Sequence, residues 1–231
     1  MLILGIETAT ESVGVALGGR DGVLASVTIA RGRRHGETLA PAVQFACGHA
    51  GVELGDLDAV AVDIGPGLFT GMRVGIATAK ALAMALDIPV VPVTSLDSLA
   101  ESARDHHGLV VPVVDARKSE VFWSMHRSDA DRVTALGEPM VGSVDDLLAA
   151  LGERGQRAVC LGDGAQRHAE MLAERADCSV IPVHHPSAST LVTLAVGRAL
   201  REEWVDADLV SPLYLRRPDA EINWETREVR S

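Results

Sequence analysis

Aromatic side chains and positive charge are both scarce in this sequence of 231 residues. Phe, Trp and Tyr make up 3% of the chain, and 21 Lys and Arg residues stand against 32 Asp and Glu residues, which gives a formal net charge of −11 at pH 7. Few aromatic rings leave few surfaces on which nucleobases could stack, and a net negative charge repels a phosphate backbone. The one dense basic run, Arg31, Arg33 and Arg34, is typical of a solvated loop. The composition therefore argues against direct nucleic-acid binding.

Cysteine is rare as well, and long apolar runs are missing. Cys47, Cys160 and Cys178 are odd in number and widely spaced, and no C-x-x-C pair occurs. Neither a disulfide framework nor a zinc knuckle is indicated, so we expect a reducing compartment. The first residues lack the basic segment of a secretory signal, and no apolar run is long enough to cross a bilayer. We therefore predict a cytoplasmic protein without membrane insertion.

Aliphatic residues are abundant, and their spacing predicts the elements of the fold. The chain is 47% hydrophobic, which is enough for a substantial core. In the first half, the patterns predict strands at 2–7, 13–18 and 23–30, a helix at 37–50, a strand at 58–64, a helix at 70–86 and a strand at 89–93. In the second half, they predict a helix at 95–105, strands at 109–115, 120–126 and 132–136, a helix at 144–151, a strand at 157–162, a helix at 165–176, a strand at 179–183 and a helix at 188–204.

The order of elements repeats along the chain as two βββαβα units with little residue identity between them. This repeat is typical of an α/β protein with a duplicated ribonuclease H-like fold, as in the actin, Hsp70 and sugar kinase (ASKHA) superfamily, whose two lobes hold a nucleotide between them. We predict an N-terminal actin-like lobe at 1–95, a second lobe at 96–215 and a polar tail at 216–231. The helix at 188–204 is expected either to close the second unit or to pack back on the first lobe.

A glycine turn at 65–71 (GPGLFTG) joins a predicted strand to a predicted helix. Backbone N–H groups and the helix dipole there would favour an anion, although the spacing matches neither a Rossmann motif nor a P-loop. The candidate cofactor-binding residues are Glu7, Thr8, Gly65, Gly67, Gly71 and Asp115. Each also has a structural explanation, since glycines permit positive φ and close contacts, Thr70 could cap the helix, and the polar residues could satisfy local backbone donors. Both interpretations remain open.

The helices at 37–50 and 72–86 carry apolar residues all round their axes. A helix in the outer layer of an α/β lobe needs one apolar face, so a second apolar face indicates contact with another protein. Packing of these helices on each other and on the last helix is the alternative. We favour an interface because so small a lobe has little protein left to cover both sides. The predicted interface residues are His35, Leu39, Val43, Phe45, Arg73, Ile76 and Lys80.

Six motifs spread over the whole chain carry a family resemblance. They are LGIETATE at 4–11, RHGETL at 34–39, GPGLFTGMRVG at 65–75, DARKSEV at 115–121, GDG at 162–164 and PLYLR at 212–216. Together they resemble the TsaB (YeaZ) family, and the pattern GPG-x-FTG-x-R-x-G followed by DAR-x-x-E-V is specific to it.

The resemblance implies a non-catalytic scaffold in tRNA modification. Its implied partner is TsaD, the catalytic paralogue with the same fold, which transfers a threonylcarbamoyl group to N6 of adenosine 37 in tRNAs that read codons starting with A. The N-lobe helices would bind TsaD, or a second copy of the chain in a homodimer, and the ATPase TsaE would join the TsaB–TsaD pair. Any link to tRNA would be indirect. The resemblance also suggests that His35 orders the start of the first interface helix, with a solvent-exposed loop histidine as the alternative.

One departure from the catalytic paralogue concerns metal binding. TsaD carries an H-x-x-x-H pair after the strand equivalent to 89–93, whereas residues 94–99 here are TSLDSL. Two histidines at this spacing converge on one metal, and Asp97 among hydroxyls cannot replace them. The pairs at 106–107 and 184–185 do not restore the site, since adjacent side chains diverge. We therefore predict no catalytic residue, no metal site and no required cofactor, and leave weak ATP or ADP binding open.

Two other functions compete with the scaffold. An active actin-like ATPase or kinase would use Glu7, Asp115 and the glycine turn on a nucleotide–magnesium complex. A peptidase of the old "glycoprotease" kind finds no support, because the sequence contains no H-E-x-x-H and no Ser/His/Asp or Cys/His grouping.

Overall fold

The protein is described from a computed structural model that covers residues 1–30, 34–129 and 132–216. Arg31, Arg33 and the predicted tail beyond Arg216 lie outside these residues. The first sheet consists of β1 (Leu2–Glu7), β2 (Val13–Gly19), β3 (Gly22–Ile29), β4 (Ala59–Asp63) and β5 (Val90–Val93), in the spatial order β3-β2-β1-β4-β5. The first three strands form an antiparallel meander, and β1, β4 and β5 run parallel.

Helices cover both faces of this sheet because the strand residues on both faces are apolar. Helices α1 (His35–Ala50) and α2 (Phe69–Leu86) lie on one face, where the side chains of Leu4 and Ile6 join their core. Ile3 points to the opposite face, as the alternation of a strand requires. There it meets α7 (Ala188–Ala199), the last α-helix of the described chain, which packs across all five strands.

The second sheet has the same strand order and strand directions as the first. It is reached through α3 (Ser95–Glu101) and consists of β6 (Gly108–Arg117), β7 (Glu120–Trp123), β10 (Met140–Ser143), β11 (Ala158–Leu161) and β12 (Cys178–Val180), in the order β10-β7-β6-β11-β12. A hairpin of β8 (His126–Ser128) and β9 (Val133–Ala135) joins this sheet through pairing of β8 with β6. Helices α4 (Val144–Arg154), α5 (Asp163–Arg167) and α6 (Ala169–Arg175) complete this half.

The predicted repeat is present, but several predicted elements were wrong in detail. The third strand of the second unit is Met140–Ser143 and not 132–136, which forms β9 of the added hairpin. The strand Met140–Ser143 was not predicted because it is short, follows Pro139 and leaves Met140 exposed. It therefore shows no apolar alternation. The predicted strand at 120–126 is two strands, and the predicted helix at 165–176 is interrupted at His168.

Within the described ranges, none of the helices is both long enough and apolar enough to cross a bilayer.

Candidate functional site

The glycine turn packs tightly against the loop that follows β1. Gly65 adopts a φ of +96°, which favours glycine. A Cβ atom would lie 2.2 Å from the carbonyl oxygen of Ala9 if placed on Gly67, and 2.0 Å from that of Thr8 if placed on Gly71. The Thr8 hydroxyl also donates a hydrogen bond to the Gly71 carbonyl (2.8 Å). These glycines therefore allow close contact between two backbone segments.

The start of α2 differs from the prediction. Thr70 was expected to cap the helix, but α2 begins at Phe69, and Leu68 occupies the N-cap position without a side-chain hydrogen bond. The backbone N–H of Leu68 instead donates to the carbonyl oxygen of Ala9 (2.7 Å). The Ala9 carbonyl oxygen thus accepts the hydrogen bond that a capping side chain would accept. The Leu68 N–H is therefore already bonded, although it is one of the groups that would bind an anion at this helix start.

Replacing Gly71 by Ala is expected to destabilise the first lobe by about 2 kcal/mol or more, because the new methyl group meets a backbone oxygen that cannot move aside easily. Gly48→Ala is the matched control. A Cβ atom at Gly48, in α1, meets nothing within 4 Å, so this change is expected to stabilise by about 1 kcal/mol. Urea unfolding followed by circular dichroism measures both changes. Equal effects from the two substitutions would contradict the described packing of the turn.

Two buried carboxyl groups lie at the carboxyl ends of the neighbouring strands β1 and β4. Glu7 is 1% exposed and accepts a hydrogen bond from the Ala9 N–H (2.8 Å). Asp63 is fully buried, and its Oδ1 accepts hydrogen bonds from the Gly65 N–H and the Ser95 hydroxyl, both at 2.7 Å. Within the described part of the chain, Asp63 Oδ2 has no hydrogen-bond partner.

Burial decides the protonation of this pair. Burial raises the pKa of Glu7 well above its ordinary value, and the neighbouring Asp63 carboxylate raises it further. Burial also raises the pKa of Asp63 to about 7, although the hydrogen bonds from Ser95 and Gly65 oppose this shift. Both carboxyl groups are therefore shifted towards their protonated forms.

Asp115 faces the first lobe from β6 and is held by its own chain. Its carboxylate accepts hydrogen bonds from the Arg117 N–H (2.9 Å) and from Arg167 Nη1 (2.8 Å), while its N–H donates to Asp163 Oδ1 (3.0 Å). Arg117 Nη2 in turn donates to Glu11 Oε1 (3.2 Å), which joins the second lobe to the first. The charges on the cleft walls are thus paired with each other.

Two cavities lie between the glycine turn and the second sheet. The polar one has a volume of about 170 Å³ and the more apolar one about 350 Å³, near the lower limit for sites that enclose a drug-sized ligand. Of the six predicted cofactor residues, Gly67 and Asp115 line both cavities. The other four, Glu7, Thr8, Gly65 and Gly71, line neither. No group of three or more His, Cys, Asp or Glu side chains within the described residues is placed to hold a metal ion.

The segment at 212–216 links the two lobes beside the larger cavity. The ring of Tyr214 stacks on Phe69, with centroids 5.4 Å apart, and its hydroxyl accepts a hydrogen bond from Arg73 Nε (3.0 Å). The Arg73 guanidinium lies 3.8 Å above the Phe69 ring, a cation–π contact. Arg216 Nη1 donates to Glu120 Oε2 (3.0 Å) in the second lobe. The PLYLR motif at 212–216 is visible in the sequence, but its role as a link between the lobes is visible only in the structure.

The outer face of α1 and α2, which points away from the sheet, is apolar over its central part and carries many small residues. Phe45 is 55% exposed and Met84 70% exposed. Residues 40–48 contain no charged side chain, and residues 74–86 contain Lys80 alone. The exposed residues of these two helices are Gly36, Glu37, Ala40, Pro41, Gln44, Phe45, Gly48 and His49 from α1 and Thr70, Arg73, Ala77, Ala81, Met84 and Ala85 from α2.

Four of the predicted interface residues do not lie on this outer face, and the structure corrects their assignment. Leu39, Val43 and Ile76 are between 1% and 5% exposed because they pack against the sheet in the first core. His35 is 4% exposed, and its Nε2 donates to the carbonyl oxygen of Thr10 (2.7 Å), so the exposed-loop alternative is wrong. The large aliphatic side chains of both helices are buried or partly buried. The small residues divide between the two sides, since Ala42, Ala46, Ala79 and Ala83 are buried whereas Ala40, Ala77, Ala81 and Ala85 are exposed.

The other three predicted interface residues differ in what they contact. Phe45 is exposed and stacks on His49, with ring centroids 4.0 Å apart. Arg73 is exposed but engaged with the 212–216 segment. Lys80 is half-buried, and its ammonium donates to the backbone oxygen of Asp208 (3.1 Å). Their contact with a partner stays a prediction.

Asp63 and Glu11 contribute to the cleft but were not among the predicted site residues. Asp63 could have been found, since it closes a predicted apolar strand directly before the glycine turn. Glu11 could not, because its contact with Arg117 joins residues 106 positions apart.

Two sheets of the same topology, with a cleft between them, define a two-lobed protein of the duplicated ribonuclease H-like, actin-like class. The activator of 2-hydroxyisocaproyl-CoA dehydratase from Clostridium difficile, solved with bound ADPNP, shares this fold at a TM-score of 0.51 and 10% identity, over 92% of this chain and 99% of that one. The predicted fold class is confirmed.

Closer relatives identify the family. The TsaB protein of Bacillus subtilis, named a tRNA threonylcarbamoyladenosine biosynthesis protein, is 30% identical over 97% of this chain and 98% of its own length. YeaZ from Pseudomonas aeruginosa superposes with a TM-score of 0.79 at 30% identity, over 93% of this chain and 99% of that one. A family model described as "TsaD: tRNA N6-adenosine threonylcarbamoyltransferase" matches residues 22–224. The chain belongs to the TsaB (YeaZ) family.

Proposed function

We propose that this chain is a non-catalytic subunit of the machinery that adds a threonylcarbamoyl group to N6 of adenosine 37 in tRNAs reading codons that start with A. In this proposal it binds a TsaD paralogue, and with it TsaE, and its link to tRNA is indirect. The names of its relatives support the process. The exposed apolar outer face of α1 and α2 is the observation that carries the scaffold role.

Several properties of the outer face favour a helix-on-helix contact. Its alanines and glycines allow two helices to approach closely, and its centre lacks charge, as the cores of protein interfaces do. Covering Phe45 and Met84 would remove two large apolar side chains from water, worth roughly 1–2 kcal/mol each since both are partly covered already. A paralogue with the same fold, or a second copy when the chain is alone, would supply a matching surface.

The cleft supports a role without catalysis. Glu7 and Asp63 are buried and shifted towards their protonated forms, and Asp115 is held by two arginines. The glycines of the turn contact the loop after β1, and the two neighbouring cavities, of about 170 Å³ and 350 Å³, lie below and near the lower limit for a site that encloses a drug-sized ligand. An ATPase or kinase would need these groups to be available to its substrate.

A complementation experiment distinguishes the scaffold proposal from the alternative of an active ATPase. In cells depleted of this chain, we expect threonylcarbamoyladenosine to disappear from tRNA digests and to return with the wild-type chain. Asp115→Asn is expected to restore the modification equally well, because Asp115 then contributes only local contacts. Loss of the modification with Asp115→Asn, in a chain that folds and still binds TsaD, would favour the ATPase instead. So would ATP turnover by the isolated wild-type chain.

A further inference from the structure

A groove at the carboxyl end of α2 forms a second surface with binding properties. Its volume is about 670 Å³, and it opens between the end of α2 and the segment at 204–208. The segment at 204–208 belongs to neither helix of the outer face. The groove is lined by Ala83, Met84, Asp87, Ile88, Pro89, Trp204, Asp206, Ala207 and Asp208.

The apolar lining of this groove is exposed to solvent. Met84 is 70% exposed and Trp204 is 40% exposed, while Leu209 next to the groove is 66% exposed. Contiguous exposed apolar side chains on a globular protein mark binding surfaces, and tryptophan is one of the residues enriched at the energetic centres of interfaces.

The rim of the groove is acidic, and its negative charges are not paired with cations of the described part of the chain. Asp87, Asp206 and Asp208 are exposed, and their carboxylates form no ion pair or hydrogen bond with any residue in the described ranges. Asp87 also stands at the carboxyl end of α2, where the helix dipole disfavours negative charge. The ammonium of Lys80 in α2 donates to the backbone oxygen of Asp208 and not to a carboxylate of the rim. A positive charge from outside would therefore be favoured at this rim.

We propose that this groove binds a polypeptide segment of another protein in which an apolar side chain is flanked by lysine or arginine. The apolar side chain contacts Trp204 and Met84, and the flanking cations pair with Asp87, Asp206 and Asp208. The same rim repels phosphate groups, which excludes nucleic acid and anionic lipid as occupants. Met84 belongs to both the groove and the outer face, so the occupant of the groove would contact a site that adjoins the proposed TsaD contact.

Selection from a random peptide display library on the full chain tests this inference. We expect the enriched peptides to share an apolar residue with lysine or arginine within a few positions. Synthetic peptides from that set are expected to bind the double variant Asp206→Asn, Asp208→Asn roughly tenfold more weakly in fluorescence anisotropy. Trp204→Ala is expected to weaken binding as well.

The matched control is Glu153→Gln with Glu174→Gln, which removes two exposed acids from the second lobe and is expected to leave binding unchanged. Thermal melts verify that all variants are folded. Equal binding to both double variants, enrichment of peptides without cations, or occupation of the groove by a second copy of the chain would each overturn the inference. The Asp206, Asp208 double variant should still bind TsaD, so failure here is distinguishable from failure of the scaffold proposal.

Discussion

Replacing Ala81 by Arg is expected to weaken binding to TsaD roughly a hundredfold or more, about 3 kcal/mol, without unfolding the chain. Ala81 is exposed near the middle of α2 on the outer face. A long charged side chain there would hold the two surfaces apart and leave a charge buried in an apolar contact. Arginine is a good helix former, so α2 itself should persist. Isothermal titration of the chain with the TsaD of its own organism gives the affinity.

Ala173→Arg is the matched control, since Ala173 is exposed on α6 in the second lobe. Its affinity for TsaD is expected to equal that of the wild-type chain. If Ala81→Arg bound as tightly as this control, the outer face would not be the interface. Val43→Arg and Ile76→Arg would not serve, because both side chains are 5% exposed and a charge there would unfold the lobe.

The free energy of unfolding is expected to contain a contribution from Asp63 that falls as the pH rises from about 4 to about 7. Burial raises the pKa of Asp63 to about 7 in the folded chain, against 3.8 for an unperturbed aspartate. Between these values the folded chain keeps a proton that the unfolded chain has lost, so the stabilising contribution declines with rising pH and is fully lost above about 7. Since one pKa unit corresponds to about 1.4 kcal/mol, the total is on the order of a few kcal/mol.

Asp63→Asn should remove this contribution, because the amide keeps an acceptor for Gly65 and Ser95 but does not titrate. We expect the variant to gain stability relative to the wild-type chain as the pH rises from 5 to 8, measured by urea unfolding at each pH. Asp105→Asn, at an exposed position, controls for the loss of one acidic group. A stability difference between wild type and Asp63→Asn that stays constant over this range would refute the assignment of a raised pKa to Asp63.

The fold could be predicted largely from apolar periodicity, because most strands and helices of both units carry a clear pattern. The path of the first sheet agrees with the meander and crossovers expected from residues 2–93. The third strand of the second unit could not be predicted, since Met140–Ser143 is held by pairing with β7 and not by an apolar pattern of its own. Tertiary contact overrides local preference at such a position.

The candidate site was less predictable than the fold, because the sequence does not show which side of a helix faces the sheet. Counting apolar residues in α1 and α2 correctly found an excess of apolar surface but assigned it to the large side chains, such as Leu39 and Val43. Those side chains fill the core, and the exposed face combines alanines and glycines with Phe45 and Met84, whose exposure depends on the direction from which the sheet packs. Partners distant in sequence, such as Arg73 with Tyr214, likewise become visible only in three dimensions.

Hydroxyl-radical footprinting of the chain, alone and with TsaD, tests the central claim most directly. Met84 and Phe45 on the outer face are 70% and 55% exposed, and Met140 and Met171 in the second lobe are 51% and 37% exposed, so all four should be oxidised in the isolated chain at a concentration where it is monomeric. The scaffold account predicts that TsaD protects Met84 and Phe45 and leaves Met140 and Met171 as reactive as before. Protection of the second-lobe methionines, with Met84 and Phe45 still oxidised in the complex, would contradict it.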